Sequence, residues 1–420
     1  MSPAELGVDL LTEAREKAAE AAEQQPVRIL ISTGEVSGDL QGALLIKALQ
    51  VQAAAQNLTL EILALGGDRM AAAGATLVGN TANIGAVGIL EQLPFVLPTL
   101  KLQGRLKRLF NQASLDGVVL IDYMGPNLSL GQTIQKAHPT VPIVYYIAPQ
   151  QWVWSAFESE TQQIVGVCNR LLAIFPAEAT YYEKKGAQVR WVGHPLVDRI
   201  PEPPDQQVAR QRLGLAPNAS VVTLLPASRH QEIKYLMPIM FQAAQQIQAH
   251  LPQVQFLVAV SLDEFRPALQ QAIDRYGLQA TLVDGKSTDA IAAADLAIAK
   301  SGTVNLETAL MNVPQVVMYR LNPVTAWIAK HILKFSAPFI SPVNLTEMRP
   351  IVPEFVQWQA TPDAIAQTSL GLLLDPEKRR QMLDDYQAMR CSLGDPGACD
   401  RAAQEILTLA TGRDTVEGVD

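Results

Sequence analysis

The sequence predicts an α/β chain of two doubly wound, Rossmann-like domains with a cleft between them. Three observations point there. Short, continuous apolar runs alternate with helical segments from Val27 to Val192, and again from Val221 to Tyr319. Parallel strands covered on both faces read as unbroken apolar runs, so this alternation implies parallel sheets wrapped by helices. Between the two series lies Arg199-Ile200-Pro201-Glu202-Pro203-Pro204-Asp205, a stiff, helix-breaking linker. A chain of 420 residues is also long for a single core.

The elements follow in order. Residues 1–25 carry a helical period of Ala, Glu and Leu ending in Gln24-Gln25-Pro26, an accessory amphipathic helix or extension. Residues 26–200 form the first domain. Its strands are expected at Val27–Ser32, Ile62–Leu65, Gly117–Ile121, Ile143–Ile147, Leu171–Phe175 and Val189–Val192. Residues 201–375 form the second, with strands at Val221–Leu225, Val254–Val260, Ala280–Val283, Leu296–Ala299 and Gln315–Tyr319. Residues 376–420 are C-terminal helices, with a crossing back onto the first domain as the expected placement. Two such domains put a ligand cleft at the carboxyl ends of their strands.

Composition narrows the function classes. The chain is 48% hydrophobic and 18% charged, with 33 basic and 41 acidic residues and a net charge of −8, which argues against a nucleic-acid footprint. Three scattered cysteines, Cys168, Cys391 and Cys399, suit neither a disulfide framework nor a zinc site. No basic region leads into an apolar core at the N-terminus, so no signal peptide is expected. No apolar run is long enough for a spanning helix. The expectation is a protein that is soluble or attached to a membrane surface.

Six segments carry chemistry. In Ser301-Gly302-Thr303-Val304-Asn305-Leu306-Glu307 a turn follows an apolar strand and opens a helix. Backbone N–H groups there suit an anion, and Glu307 is placed for a ribose hydroxyl. Alternatively Thr303 caps the helix and Glu307 is solvated. Gly34-Glu35-Val36-Ser37-Gly38-Asp39 follows the first strand without G-x-G-x-x-G spacing. It is a ligand loop, or a tight turn capped by Ser37 or Asp39. Asp122 ends the strand Gly117–Ile121, ahead of Tyr123-Met124-Gly125-Pro126-Asn127. A carboxylate at a strand end can take a proton from an attacking hydroxyl, or simply cap a loop.

Tyr145-Tyr146-Ile147-Ala148-Pro149-Gln150-Gln151-Trp152-Val153-Trp154 clusters aromatics at a strand end, for sugar or lipid contact or for domain packing. His194, in Val192-Gly193-His194-Pro195-Leu196, touches donor phosphate or is structural. In Pro226-Ala227-Ser228-Arg229-His230, Arg229 is either a diphosphate fork facing the cleft or a surface residue. Two apolar stretches read as membrane-facing or as core: Ile84–Leu100, and Val324, Trp327, Ile328, Ile332 and Phe335 with Lys330 and Lys334 on another face.

Taken in order, these motifs resemble the lipid-A-disaccharide synthase family. GEVSGD (34–39), YYIAPQQWVW (145–154), FPAEATYY (175–182), VGHPL (192–196), LLPASRHQE (224–232), SGTVNLE (301–307), PVNL (342–345) and VPEFVQ (352–357) fall in the family's sequence. The resemblance implies a GT-B arrangement and an inverting, metal-independent glycosyltransferase without a cofactor. Its partners would be UDP-2,3-diacylglucosamine and 2,3-diacylglucosamine 1-phosphate, at the cytoplasmic surface of the inner membrane, with a homo-oligomer possible.

By that resemblance Asp122 matches the general base and Arg229 the donor-phosphate arginine, while Ser301, Gly302, Thr303 and Glu307 match the UDP pocket. Gly34, Glu35, Ser37, Gly38, Asp39, Asn127, His194, Ser228 and Asn344 join them as substrate-binding candidates. The chain departs from the pattern after Asp122, where a second acid is missing, and at Gly88, Ser155 and Ala227. A diverged UDP-sugar transferase on another lipid acceptor, or a decayed binding protein, is the alternative.

Overall fold

The computed structural model describes residues 25–34, 36–81, 114–155, 157–285, 287–332 and 334–412. Glu35, the segment Ile84–Leu100 with Gly88, and residues 1–24 lie outside them.

The first seven strands are β1 (Val27–Ser32), β2 (Leu60–Gly66), β3 (Thr76–Asn80), β4 (Gly117–Ile121), β5 (Ile143–Tyr146), β6 (Arg170–Ala173) and β7 (Val189–Trp191). They form one parallel sheet in the order β3-β2-β1-β4-β5-β6-β7. The next six are β8 (Val221–Leu225), β9 (Gln255–Val260), β10 (Ala280–Asp284), β11 (Leu296–Lys300), β12 (Gln315–Tyr319) and β13 (Glu354–Val356). They form a second parallel sheet, β10-β9-β8-β11-β12-β13.

Both sheets are doubly wound, and in each the winding reverses once, between β1 and β4 and between β8 and β11. A crevice opens outside the carboxyl ends of the strands at such a reversal. The motif segments after β1, β4, β8 and β11 all emerge at those two points.

The unbroken apolar runs have the expected cause. Ile29, Ile31, Val119, Ile121, Val144 and Leu172 belong to one buried cluster, while their neighbours Leu30, Val118, Leu120, Tyr145 and Leu171 belong to another. Alternate residues point to opposite faces, and helices cover both. Full burial of each such side chain contributes about 1.5–3 kcal/mol.

Two strands were not anticipated, β3 and β13. Both are edge strands, and β3 is half exposed along its length. Half-exposed edges lose the continuous apolar signature. β5 also stops one residue short of expectation, because Ile147 adopts a left-handed backbone with φ of 58°.

The chain finally returns to the first sheet. The helix Ala398–Ala410 packs on the helix Val36–Ala55 and on β4. Asp198 receives the amides of Gly397, Ala398 and Cys399 at 2.6, 3.1 and 2.8 Å, capping that helix from the end of the first domain. Among the described residues no helix is long and apolar enough to cross a membrane.

Candidate functional site

The pocket between the two sheets is walled by Ser37, Gly38, Asp122, Ile147, Gln150, Trp152, Phe175, Glu178 and His194 from the first, and by Thr303, Leu306 and Pro342 from the second. Asp122 reaches it through an unusual turn. Asp122 and Tyr123 are both left-handed, with φ of 47° and 49°. Such a conformation costs about 1–3 kcal/mol per non-glycine residue and persists only where surrounding structure imposes it.

Here it is imposed. The Asp122 amide donates to the Ile147 carbonyl at 3.0 Å. Its carbonyl accepts from Asn127 Nδ2 at 2.8 Å and from the Tyr145 hydroxyl at 2.9 Å. Asn127 also donates to the Ile121 carbonyl at 3.0 Å and accepts from Ser32 Oγ at 2.7 Å, tying the turn to β1. Asn127 is therefore engaged entirely within the protein, away from the pocket.

The loop after β1 is shaped by close approach. A Cβ on Gly34 would collide with the Tyr123 ring, and one on Gly38 would collide with Thr33 Oγ1. The absence of a side chain at Gly34 lets the Tyr123 ring sit beside Asp122. Asp39 does not face the pocket. Its carboxylate accepts from the amides of Gly67, Arg69 and Met70 at 2.7, 3.2 and 3.1 Å, at the start of the neighbouring helix Asp68–Ala72.

His194 caps the helix Pro195–Arg199, its Nδ1 accepting from the Leu196 amide at 3.1 Å. Burial pushes its pKa down to about 3, so the ring is neutral and the proton sits on Nε2. Glu178, on the helix Pro176–Lys184, is buried in the same wall. Burial raises its pKa to about 7, against the pull of three backbone amides and with the Asp122 charge adding to the rise.

In the second sheet Leu225 of β8 pairs with Ala299 of β11, so the Ser228-Arg229 and Ser301-Thr303 turns leave adjacent strand ends. Glu232 fixes the first turn, accepting from the Arg229 amide at 3.1 Å and from Ser228 Oγ at 3.3 Å. Its other oxygen lies 3.7 Å from Lys300 Nζ, which brings a cation beside Gly302. Arg229 is half-buried at this end and is not among the residues lining the pocket.

The second turn is held by Asn305, which accepts from the Gly302 amide at 2.8 Å, and by Ser301 Oγ, which donates to the Ile340 carbonyl at 2.9 Å. The helix Thr303–Leu310 then begins with its first-turn amides directed out of its N-terminus. Glu307 forms an ion pair with Arg199 at 2.8 Å, across from the last helix of the first domain. Burial raises its pKa while Arg199 opposes the rise. Asn344 is fully buried and spends its amide on Ile351 and Val352, so it supports the loop before β13 rather than the pocket.

Thus the structure gathers Asp122, Ser37, Gly38, His194 and Thr303 around one pocket and places Ser228, Arg229, Ser301 and Gly302 at the adjoining strand ends, with Glu307 one turn into the helix that follows. It turns Asp39, Asn127 and Asn344 inward. Sequence reasoning gave no role to Glu178, Glu232 or Lys300. A Glu at the third position of a helix was the available signal for the first two. Among the described residues no group of three or more His, Cys, Asp or Glu side chains is arranged to hold a metal ion.

Comparison with known proteins places these features in context. A family profile described as Lipid-A-disaccharide synthetase matches residues 29–408. The lipid-A-disaccharide synthase of Gloeothece citriformis is 56% identical over 381 residues, covering 91% of this chain and 99% of that protein. The one from Synechocystis is 54% identical, covering 92% and 99%. Pseudomonas fluorescens has one 35% identical over 91% of this chain and 97% of its own.

Among solved structures, a putative UDP-N-acetylglucosamine 2-epimerase from Listeria monocytogenes superposes with a TM-score of 0.62 at 13% identity, covering 94% of this chain and 99% of that one. Anabaena Alr3699/HepE in complex with UDP and glucose superposes with a TM-score of 0.53 at 17% identity, covering 91% and 99%. At these identities the likeness is one of fold, two parallel-sheet domains in the GT-B manner.

Proposed function

Because this chain belongs to the lipid-A-disaccharide synthase family, we propose that Asp122 is the base of its transfer reaction and that the Ser228–Arg229 and Ser301–Glu307 turns hold the donor. The reaction is the condensation of UDP-2,3-diacylglucosamine with 2,3-diacylglucosamine 1-phosphate, giving the β-1,6 disaccharide 1-phosphate and UDP.

In this reading Asp122 accepts the proton of the acceptor's 6-hydroxyl as that oxygen bonds to the donor's anomeric carbon. The bond from that carbon to UDP breaks, configuration inverts in a single displacement, and negative charge passes to the diphosphate. Arg229, Lys300 and the first-turn amides of Thr303 and Val304 oppose that charge. These groups supply the stabilisation without a metal ion. Glu307 exchanges Arg199 for the ribose hydroxyls, and neutral His194 offers Nε2–H toward the sugar.

The single observation that carries the proposal is that Asp122, at one winding reversal, and Thr303, at the other, wall the same pocket. The experiment is Asp122→Asn. Shape survives and basicity does not, so turnover should fall by about 100-fold or more while UDP still binds. Turnover within a fewfold of the parent protein would remove Asp122 from this role.

The acceptor and donor are lipids, and a surface suited to a bilayer is present. Val324, Trp327, Ile332, Phe335 and Trp358 are exposed on and around the helix Pro323–His331. Lys330 stands 4.3 Å over the Trp358 ring, and Arg320 and His331 line the adjacent hollow. Phe335 packs on Trp154 at 4.9 Å, linking this face to the aromatic segment whose Trp152 walls the pocket. Tryptophans with a basic rim suit an anionic headgroup layer. We place this face on the cytoplasmic leaflet of the inner membrane.

A further inference from the structure

Glu178 does more than its place in a helix requires. As the third residue of the helix Pro176–Lys184 it needs only to reach back to the Phe175 amide, which it does at 3.2 Å. The same oxygen also takes the Ile174 amide at 2.8 Å. The other oxygen leaves its own segment and takes the Ala148 amide, after β5, at 3.1 Å.

That third bond falls on a particular peptide. The Ile147–Ala148 unit gives its N–H to Glu178 and its carbonyl to the Asp122 amide. Ile147 is a β-branched residue held left-handed, a conformation it avoids without external support. One turn along the same helix, the Tyr182 hydroxyl donates to the Pro149 carbonyl at 2.9 Å, holding the same loop from the same side. A buried carboxylate is costly to desolvate, and this one is spent on a strained peptide that touches Asp122.

We propose that Glu178 is a positioning residue for Asp122, acting through the Ile147–Ala148 peptide, so that its carboxylate fixes the direction in which the base faces the acceptor hydroxyl. The inference rests on Asp122 being the base. Glu178 must be ionised to accept three N–H groups, so the active form has both carboxyls charged. The groups that face Glu178 electrostatically are Asp122 at the end of β4, Tyr146 of β5 and Tyr182 of its own helix. Neutral His194 shares the pocket wall. The Asp122 charge adds to burial in opposing ionisation of Glu178.

The test is steady-state kinetics of the full chain carrying Glu178→Gln, with Asp122→Asn measured beside it. An amide cannot accept on both sides, so one of the two anchorages is lost. The expected result is a fall in kcat of about tenfold or more, because small misplacements of a reacting group are costly. KM for UDP-diacylglucosamine and UDP affinity should stay within about threefold, since the donor is held by the other domain. The acid limb of the kcat profile should also move to lower pH, because the protonation of Glu178 is gone.

A kcat within twofold with the limb unmoved overturns the proposal, as does an equal loss of kcat and donor affinity. If Asp122→Asn itself turns over normally, it is the base assignment that fails instead. Should Glu178→Gln not fold, Glu178→Asp carries the test. It keeps the charge but cannot span to Ala148, so kcat should fall with the acid limb in place, and an unchanged kcat refutes the role.

Discussion

Asn127→Ala removes the clamp that holds Asp122 in its left-handed turn. The side chain is 1% exposed and makes three good hydrogen bonds, to the Ile121 and Asp122 carbonyls and from Ser32 Oγ. Each such bond contributes about 0.5–1.5 kcal/mol, and each buried partner left unsatisfied adds a desolvation cost of about 1–3 kcal/mol. The Tyr145 hydroxyl still serves the Asp122 carbonyl, which limits that cost. Relaxation of Asp122 and Tyr123 from positive φ returns about 1–3 kcal/mol for each residue that escapes. The balance is a loss of about 3 kcal/mol.

For a domain of this size 1 kcal/mol moves Tm by about 2–4 °C, so calorimetry should find the first domain's transition lowered by about 6–12 °C. The freed turn should also lower kcat by about 10- to 100-fold with donor KM little changed. A Tm within 2 °C of the parent protein, together with normal kcat, would show that Asn127 neither stabilises the turn nor aims Asp122.

Other consequences follow from titration and from the exposed face. His194 is neutral when folded and ordinary when unfolded, so its folded pKa of about 3 lies below its unfolded value. Stability from this source is present above about pH 6.5 and is lost as pH falls toward 3, about 2 kcal/mol of it between pH 7 and pH 5. His194→Asn keeps a capping side chain and removes the titration. Urea melts at the two pH values should then show that loss shrink, and an identical loss would refute the assignment. On the exposed face, Trp327→Ala with Lys330→Glu should weaken sedimentation with phosphatidylglycerol vesicles by about tenfold or more. Unaltered sedimentation would refute this face as a membrane contact.

Much of the architecture was legible without coordinates, for a reason particular to it. A strand covered on both faces is apolar at most positions, so β1, β4, β8 and β11 stand out as near-continuous apolar runs, and the turns after them hold the candidate site residues. Order along the chain was enough to place Asp122, Ser37, Thr303 and His194 at strand ends, and the family resemblance rested on that order. Edge strands β3 and β13 need no such run and were silent.

What tertiary structure alone decided is the direction of each polar side chain. Asp39, Asn127 and Asn344 look like ligand residues in sequence, yet each meets backbone amides or carbonyls inside the protein and is consumed by them. Glu178 and Glu232 look like ordinary first-turn acids, yet one reaches across to the loop after β5 and the other stands beside Lys300. A sequence fixes which groups can form hydrogen bonds and roughly which end of a strand they occupy. Which partners lie within 3 Å depends on how non-adjacent loops converge, and only the folded chain brings those together.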